Sequence, residues 1–283
     1  MIASDAPAMD APAFLGASMS NAALATRPAL LLGGQPGAAV LALEITTRAE
    51  GAPAPEPPPP PPPPPSIITY GLVLHYDIAN PACYPGSGLA ISDLSGSANH
   101  GTLTGNTVFQ DSALAFDGSS NITTTTLISN PQSFSIGIWF RTSAPSGRKL
   151  VGFETSQIGG SGGYDRHFYV DTAGQLRWGV WSAGASTFIY GNVTDNQWRY
   201  AVVSFNNGSA YHSLNGQGLG TVIAATQPYD GYWRIAGQSL NLWPLASAGF
   251  FIGQIAGVEI YNRPLAAGEI EQNFNINRGR FGL

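Results

Sequence analysis

The chain has 283 residues and a formal net charge of −5, and only 10% of its residues are charged, against about a quarter in an ordinary soluble domain. Its basic residues form no cluster that could track phosphates, so we expect no nucleic-acid partner. The single cysteine, Cys83, excludes an internal disulfide, and no apolar run approaches the roughly 20 residues of a membrane-spanning helix, so we expect no membrane insertion.

Residues 1–50 are rich in Ala, Pro and Leu, and they contain two apolar stretches, Pro28–Leu32 and Val40–Ile45, on either side of the turn signal GGQPG. So short a segment can rarely build its own core. We therefore predict an arm that becomes ordered against a partner, and a disordered tail is the alternative. Asp5 and Asp10 stand where a secretory signal would carry basic residues, so we expect no such signal. The predicted anchoring residues are Leu30, Leu31, Leu32, Leu41, Leu43 and Ile45.

Residues 51–66 form a proline-rich linker with nine consecutive prolines, Pro57–Pro65. Proline fixes φ and has no N–H, so the run cannot join a helix or a central strand. We expect a polyproline II rod that rises about 3.1 Å per residue and spans roughly 28 Å. The rod would hold the arm and the following domain apart. The alternative, a ligand for a proline-binding module, is less favoured because no basic residue flanks the run.

Residues 67–283 contain short segments in which apolar and polar residues alternate. In SFSIGIWFRT, Phe134, Ile136, Ile138 and Phe140 share one face, with Trp139 on the other. HFYVDTAGQLRWGVW predicts two strands joined by the turn DTAG. YGLVLHYD and RYAVVSF predict further strands. The clearest helix signal is Arg263–Phe274, where Ile270 and Phe274 are spaced i, i+4. The pattern predicts an all-β, antiparallel β-sandwich with one short C-terminal helix.

Four stretches of this domain, in the same order, resemble the laminin-G-like, concanavalin A-like jelly roll, in the form common in bacteriophage and bacterial surface proteins. They are the opening Gly71–Gly105 with its DLSG…N.GTL run, the FDG turn in Leu114–Ile122, the hairpin Asn196–Gln217, and the closing strand and helix Gly253–Asn275. The resemblance covers nearly all of residues 67–283 and implies the concanavalin A-like jelly roll. The opening and the ending NRGRFG are most similar to versions in phage virion proteins.

The resemblance also implies a calcium site at the rim of the sandwich, with an Asp of the FDG turn among its ligands. Asp117 is present, but the next acidic position is Asn121, and the acidic pair of the closing strand is Ala256 and Gly257. Ca²⁺ takes six to eight oxygens, several of them anionic. We therefore expect weak calcium binding or none, no other cofactor, and an Asp117 side chain that forms a turn by bonding its own backbone.

Glucanases of this superfamily use a Glu-x-Asp-x-x-Glu strand, which presents acid and nucleophile on one face. None of the seven glutamates has that spacing, and the chain contains no nucleophile elbow, no H-E-x-x-H and no phosphate loop. We therefore expect that the protein is not an enzyme.

Three loop-like stretches mix aromatic residues with Asn, Asp or Arg: Gly159–His167, Thr226–Trp233 and Ser239–Leu245. Sugar rings stack on exposed aromatic faces, while polar side chains bond their hydroxyls. Packing in the core or between subunits is the alternative for each aromatic residue. The predicted carbohydrate-binding residues are Tyr164, Asp165, Arg166, Tyr229, Tyr232, Trp233 and Trp243.

The resemblance to phage virion proteins, taken with the arm and the linker, favours a virion structural protein, either a capsid decoration (cement) protein or a head-fibre protein. We expect residues 1–50 to dock onto the major capsid protein or another virion protein, and the lectin-like jelly roll to project at the virion surface. We also expect a homo-oligomer, with a host surface glycan as a further partner. The alternative is a glycan-binding adhesin of a tail fibre or of the bacterial cell surface, and a glycan hydrolase ranks last.

Overall fold

A computed structural model describes residues 66–145, 147–247 and 249–283. The predicted arm, residues 1–50 with its anchoring side chains, and the linker up to Pro65 lie outside the described residues. No helix in the described part of the chain is long and apolar enough to cross a membrane.

The described residues form an all-β sandwich with a single α-helix near the C-terminus, as predicted. The helix α1 is Ala267–Asn277, and a 3₁₀ turn, Arg278–Phe281, follows it. In chain order the strands are β1 (Leu72–Asp77), β2 (Ala90–Ile91), β3 (Gly101–Thr104), β4 (Thr107–Gln110), β5 (Ala113–Asp117), β6 (Asn121–Thr124), β7 (Ser133–Arg141), β8 (Arg148–Glu154), β9 (Tyr164–Val170), β10 (Gln175–Trp181), β11 (Ala185–Asn192), β12 (Arg199–Asn206), β13 (Ser209–Leu214), β14 (Gln217–Ile223), β15 (Tyr232–Ile235) and β16 (Ile252–Tyr261).

The strands form two sheets in which every described pair is antiparallel. The first sheet has the order β14-β13-β12-β7-β16-β5-β4, and β1 pairs with the second half of β16. The second sheet has the order β11-β10-β9-β8-β15-β6-β3-β2. Both sheets combine consecutive strands, such as β12-β13-β14 and β8-β9-β10-β11, with strands from distant parts of the sequence, such as β7 beside β16 and β8 beside β15. This mixture is expected for the concanavalin A-like jelly roll.

The core between the sheets is built mainly by the alternation of side chains along the strands. Along β7, Phe134, Ile136, Ile138 and Phe140 all point into this core, which confirms the predicted face. On β10 the turn at DTAG leads into a strand whose Trp178 is fully buried in the same core. Because side chains alternate between the two faces of a strand, the residues between these positions lie on the outer faces of the sheets.

The outer face of the first sheet is covered by α1. Trp139 stacks on Tyr200 with ring centroids 4.8 Å apart and on Phe281 at 4.2 Å, and Ile270 and Phe274 of the helix are buried in the same cluster. The i, i+4 pair that predicted the helix is therefore its packing face.

The helix begins later than the predicted start at Arg263 and continues past Phe274 to Asn277. The Ser135 hydroxyl of β7 donates to the Arg263 carbonyl oxygen at 2.9 Å and accepts from the Leu265 N–H at 2.8 Å, which holds this segment extended. Pro264 also disfavours helical backbone at the residue before it. At the N-cap, Ala266 has no side-chain acceptor, and its N–H donates to the Glu269 carboxylate at 2.8 Å.

Candidate functional site

The three loop stretches singled out in the sequence meet at one edge of the second sheet. In an antiparallel sheet the end of β8, the start of β9 and the end of β10 lie at the same edge. The segments before β15 and after it reach this edge as well. Between them lies a pocket of about 190 Å³ lined by Gly162, Gly163, Tyr164, Asp165, Trp181, Gln227, Tyr229, Asn241, Leu242 and Trp243.

The wall of this pocket is aromatic. Trp243 lies on the outer face of the second sheet, with its ring centroid 4.1 Å from that of His167 and 5.7 Å from that of Trp181. A Cβ atom at residue 179 would overlap the Trp243 ring, so the glycine there allows Trp243 to lie against the sheet. The Tyr164 hydroxyl donates to the Asn241 carbonyl oxygen at 2.9 Å, which joins β9 to the loop that carries Trp243.

Asp165 fixes the relative positions of the pocket walls. Its carboxylate accepts from the Tyr229 hydroxyl at 2.7 Å, from the Arg166 guanidinium at 2.5 Å and from the Trp181 backbone N–H at 3.0 Å. The Arg166 guanidinium also lies over the Tyr229 ring, 4.8 Å from its centroid. Burial raises the pKa of Asp165 although Arg166 opposes that shift. Asp165 therefore ties β9 to β10 and to the segment before β15.

A buried ion cluster lies beneath the loop between β8 and β9. The Glu154 carboxylate accepts from the Lys149 ammonium at 2.7 Å, from the Arg234 guanidinium at 2.8 Å and from the Ser161 hydroxyl at 2.9 Å. The side chains of Lys149 and Glu154 are wholly buried, and that of Arg234 nearly so. Burial opposes the ionisation of Glu154, but the two neighbouring cations hold its pKa below the ordinary value. Arg234 also donates to the Gly159 carbonyl oxygen at 2.6 Å, so the cluster secures the loop that forms one side of the pocket.

A second depression, of about 200 Å³, adjoins the pocket and shares Tyr164 and Asn241 with it. Its other lining residues are small or polar and carry no formal charge: Gly160, Ser161, Gln238, Ser239 and Gly249. The two depressions therefore adjoin at Tyr164 and Asn241, with aromatic side chains in the first and small or polar residues in the second.

The predicted site residues divide into two groups. Tyr164, Asp165, Tyr229 and Trp243 line the pocket together. The other predicted residues, Arg166, Tyr232 and Trp233, are not among its lining residues.

Trp233 and Arg166 are buried in the interior. Trp233 is 1% exposed and packs between Phe134 and Phe153 at 5.6 and 5.0 Å. A ring packed on both sides has no face for a sugar, so we correct its assignment to that of a core residue. Arg166 is fully buried and bonded to Asp165 and to the Gln227 and Pro131 carbonyl oxygens, so it supports the site from below.

The sequence reasoning missed Trp181, Gln227, Asn241 and Leu242 among the residues that line the pocket. Trp181 had a usable signal, since alternation along β10 places it on the face opposite Trp178, at the last residue of the strand. Gln227 and Asn241 lay within the predicted stretches but carry no aromatic ring.

Asp117 forms the turn expected of it. Its carboxylate accepts from the Ser119 backbone N–H at 2.9 Å and from the Ser119 hydroxyl at 2.6 Å, and these bonds lower its pKa. Asn121 is buried on β6, where its side-chain oxygen accepts from the Thr104 hydroxyl. Within the described ranges, no group of three or more His, Cys, Asp or Glu side chains is arranged to hold a metal ion.

The sequence matches the family described as the concanavalin A-like lectin/glucanases superfamily over residues 116–271. No curated protein matches the chain. The fold is similar to that of a Trypanosoma rangeli sialidase solved in complex with sialic acid, with a TM-score of 0.53 and 18% identity over 76% of this chain and 34% of that one.

Two neurotoxin domains are similar to a comparable degree. The binding domain of botulinum neurotoxin DC in complex with SialylT has a TM-score of 0.54 at 14% identity, over 74% of this chain and 52% of that one. The receptor binding domain of botulinum neurotoxin type G has a TM-score of 0.52 at 16% identity, over 73% of this chain and 51% of that one. This chain spans about a third of the sialidase and about half of each neurotoxin domain. At these identities the likeness concerns the fold.

Proposed function

The chain belongs to the concanavalin A-like lectin/glucanases superfamily, and we propose that it is a carbohydrate-binding protein. The proposed site is the pocket between Tyr164, Trp181 and Asn241. The observation that carries the proposal is the meeting of three separate loop stretches, each with aromatic and polar side chains, at one edge of the second sheet.

The chemistry of the pocket suits a sugar ring. The apolar C–H face of a pyranose packs against an aromatic ring, and Tyr164 and Trp181 are partly exposed there. The Asn241 side chain makes no hydrogen bond within the described residues, and Gln227 uses only its amide N–H, toward the Ser182 carbonyl oxygen at 2.8 Å. These side chains therefore keep donors and acceptors for hydroxyl groups.

The structural neighbours support this proposal by analogy. The sialidase was solved with sialic acid, and the neurotoxin DC domain was solved with SialylT. A shared fold does not by itself imply a shared function. Carbohydrate binding by this chain is therefore proposed from its own pocket residues.

We propose binding rather than glycan hydrolysis. Most glycoside hydrolases place two carboxyl groups about 5–10 Å apart on either side of the bond that they cleave. Among the described residues that line the two depressions, Asp165 is the one carboxylic acid. Its carboxylate already accepts hydrogen bonds from Arg166, Tyr229 and the Trp181 N–H. Glu154, the other carboxylate nearby, is held by Lys149 and Arg234.

Trp181→Ala should weaken binding of the best glycan ligand about 30-fold or more, the effect of losing a central aromatic contact worth about 2 kcal/mol. A glycan array with the full chain would identify the ligand, and calorimetry would compare the variants. Tyr70→Ala is the control, because Tyr70 is 79% exposed and lies beside Arg263, away from the pocket. Equal affinities of Trp181→Ala and the wild type would contradict the site, and a chain that binds no glycan would contradict the function.

We further propose that the protein is displayed at a virion surface, as a capsid decoration or head-fibre protein and as a homo-oligomer. The support is the similarity of the opening and ending of the domain to phage versions, together with the nine consecutive prolines, Pro57–Pro65, that precede it in the sequence. Display by a tail fibre or on a bacterial cell surface is the alternative.

Deleting residues 1–50 should remove the protein from purified particles while residues 67–283 still unfold cooperatively. Full occupancy of the particle by residues 67–283 alone would contradict an anchor in the arm.

A further inference from the structure

We infer that the ligand is an uncharged oligosaccharide of at least two sugar units, with one ring in the aromatic pocket and the next in the polar depression beside it. This inference rests on the proposed function and names the class of glycan that the site selects. It follows from the charges around the two depressions and from the residues that they share.

The described lining of the two depressions offers no cation to the carboxylate of an acidic sugar. Among the described residues that line either depression there is no Lys, Arg or His, and Asp165 supplies a carboxylate. A sugar carboxylate that leaves water needs a charged or strong hydrogen-bond donor in return. In the described lining of this pocket it would meet no cation, and the Asp165 carboxylate already takes up the charge of Arg166.

Among the described residues, four cations lie close to the depressions. Arg148, beside Gly249 of the second depression, lines neither of them and donates to the Phe250 carbonyl oxygen at 2.9 Å. The other three already form ion pairs. Arg166 contacts Asp165, and both Lys149 and Arg234 contact Glu154. All three are buried and lie outside the lining of either depression. None of them can reach an incoming carboxylate unless an existing ion pair breaks. The site therefore differs in expected specificity from neighbours that were solved with sialic acid or with SialylT.

The length of the ligand follows from the two depressions. Each has a volume of the order of one sugar ring, about 190 and 200 Å³. Tyr164 and Asn241 line both and so stand at the junction between two rings. Beyond this junction, the side chain of Gln238 makes no hydrogen bond within the described part of the chain and is half-buried in the second depression. Its amide is available to the hydroxyl groups of a second unit.

The test is a glycan array that carries neutral glycans beside the same glycans capped with sialic acid. Calorimetry follows with the best neutral glycan, its sialylated form, its terminal disaccharide and its terminal monosaccharide. We expect the sialylated form to bind at least tenfold more weakly than the neutral one. We expect the monosaccharide to bind at least tenfold more weakly than the disaccharide.

Two variants sharpen the test. Gln238→Ala should reduce the affinity for the disaccharide severalfold and leave the affinity for the monosaccharide unchanged. The reason is that Gln238 lines the second depression and not the first. Asn241→Lys, at an exposed loop position, adds a cation to the lining of both depressions. It should therefore reduce the difference in affinity between the neutral glycan and its sialylated form.

The outcomes separate this inference from the proposed function. Preferential binding of sialylated glycans would overturn the uncharged ligand while leaving a carbohydrate-binding protein. Equal affinities for monosaccharide and disaccharide, with no effect of Gln238→Ala, would overturn the two-unit site. Binding of no glycan on the array would overturn the proposed function and this inference together.

Discussion

Replacing Glu154 with Gln is expected to lower the free energy of unfolding by about 3–5 kcal/mol, the usual cost of removing one partner from a buried ion pair. Glu154 is the common partner of Lys149 and Arg234, and all three side chains are buried. The variant leaves both cations in the interior without a counter-charge. Chemical denaturation of the wild type and the variant at neutral pH measures the difference.

A matched control is Glu271→Gln, which removes the same charge from an exposed position on α1. It should change stability by no more than about 0.5 kcal/mol, as surface substitutions usually do. If Glu154→Gln changed the free energy of unfolding as little as the control, Glu154 would not hold the two cations in the interior.

Glu154→Gln should also weaken glycan binding. The reason is that the Glu154 carboxylate bonds Ser161, and Arg234 bonds Gly159, in the adjoining loop.

Replacing Glu259 with Gln should have the opposite effect and stabilise the protein at neutral and alkaline pH. Glu259 lies fully buried between the first sheet and α1, where it accepts from the Tyr200 hydroxyl at 2.6 Å and from the Asn273 amide at 3.1 Å. Among the described residues no cation forms a salt bridge with it. Burial raises the pKa of Glu259 from 4.5 to about 7, although the two hydrogen bonds oppose the shift.

The sign of the pH dependence follows from that shift. Below pH 4.5 the carboxyl group is protonated in both the folded and the unfolded chain, so its contribution to stability is fully present. As the pH rises to about 7 the unfolded chain loses the proton first, and this removes about 3 kcal/mol of stability. Glutamine cannot ionise and keeps an acceptor for Tyr200.

Denaturation curves from pH 4 to pH 8 measure this effect. The Glu259→Gln variant and the wild type should be about equally stable at pH 4, and the variant should be more stable by about 3 kcal/mol at pH 8. A difference that does not change with pH would mean that Glu259 does not titrate in this range in the folded protein.

The strand pattern was predictable because burial on one face of a sheet imposes alternation. The face of β7 from Phe134 to Phe140 and the turn between β9 and β10 followed directly from it. The boundaries of α1 were less predictable. Its late start depends on Ser135, a residue more than a hundred positions away that bonds the segment before the helix.

The composition of the candidate site was predictable, but its assembly was not. The three stretches come together because the ends of β8 and β10 and the start of β9 lie at one edge, which depends on strand pairing. Trp233 resembled the loop aromatics in sequence, yet it lies within β15 and faces the core. Glu154 and Arg234 are 80 positions apart, so their ion pair left no local signal.

The most direct test of the account is a crystal structure of the protein with its best glycan ligand. We predict electron density for one sugar ring against Tyr164 and Trp181, and for the next ring beside Asn241 and Gln238. A glycan bound elsewhere would contradict the proposed site. One such place is the cleft of about 400 Å³ at another part of the sandwich, which is lined in part by Ile128, Phe134 and Ile260.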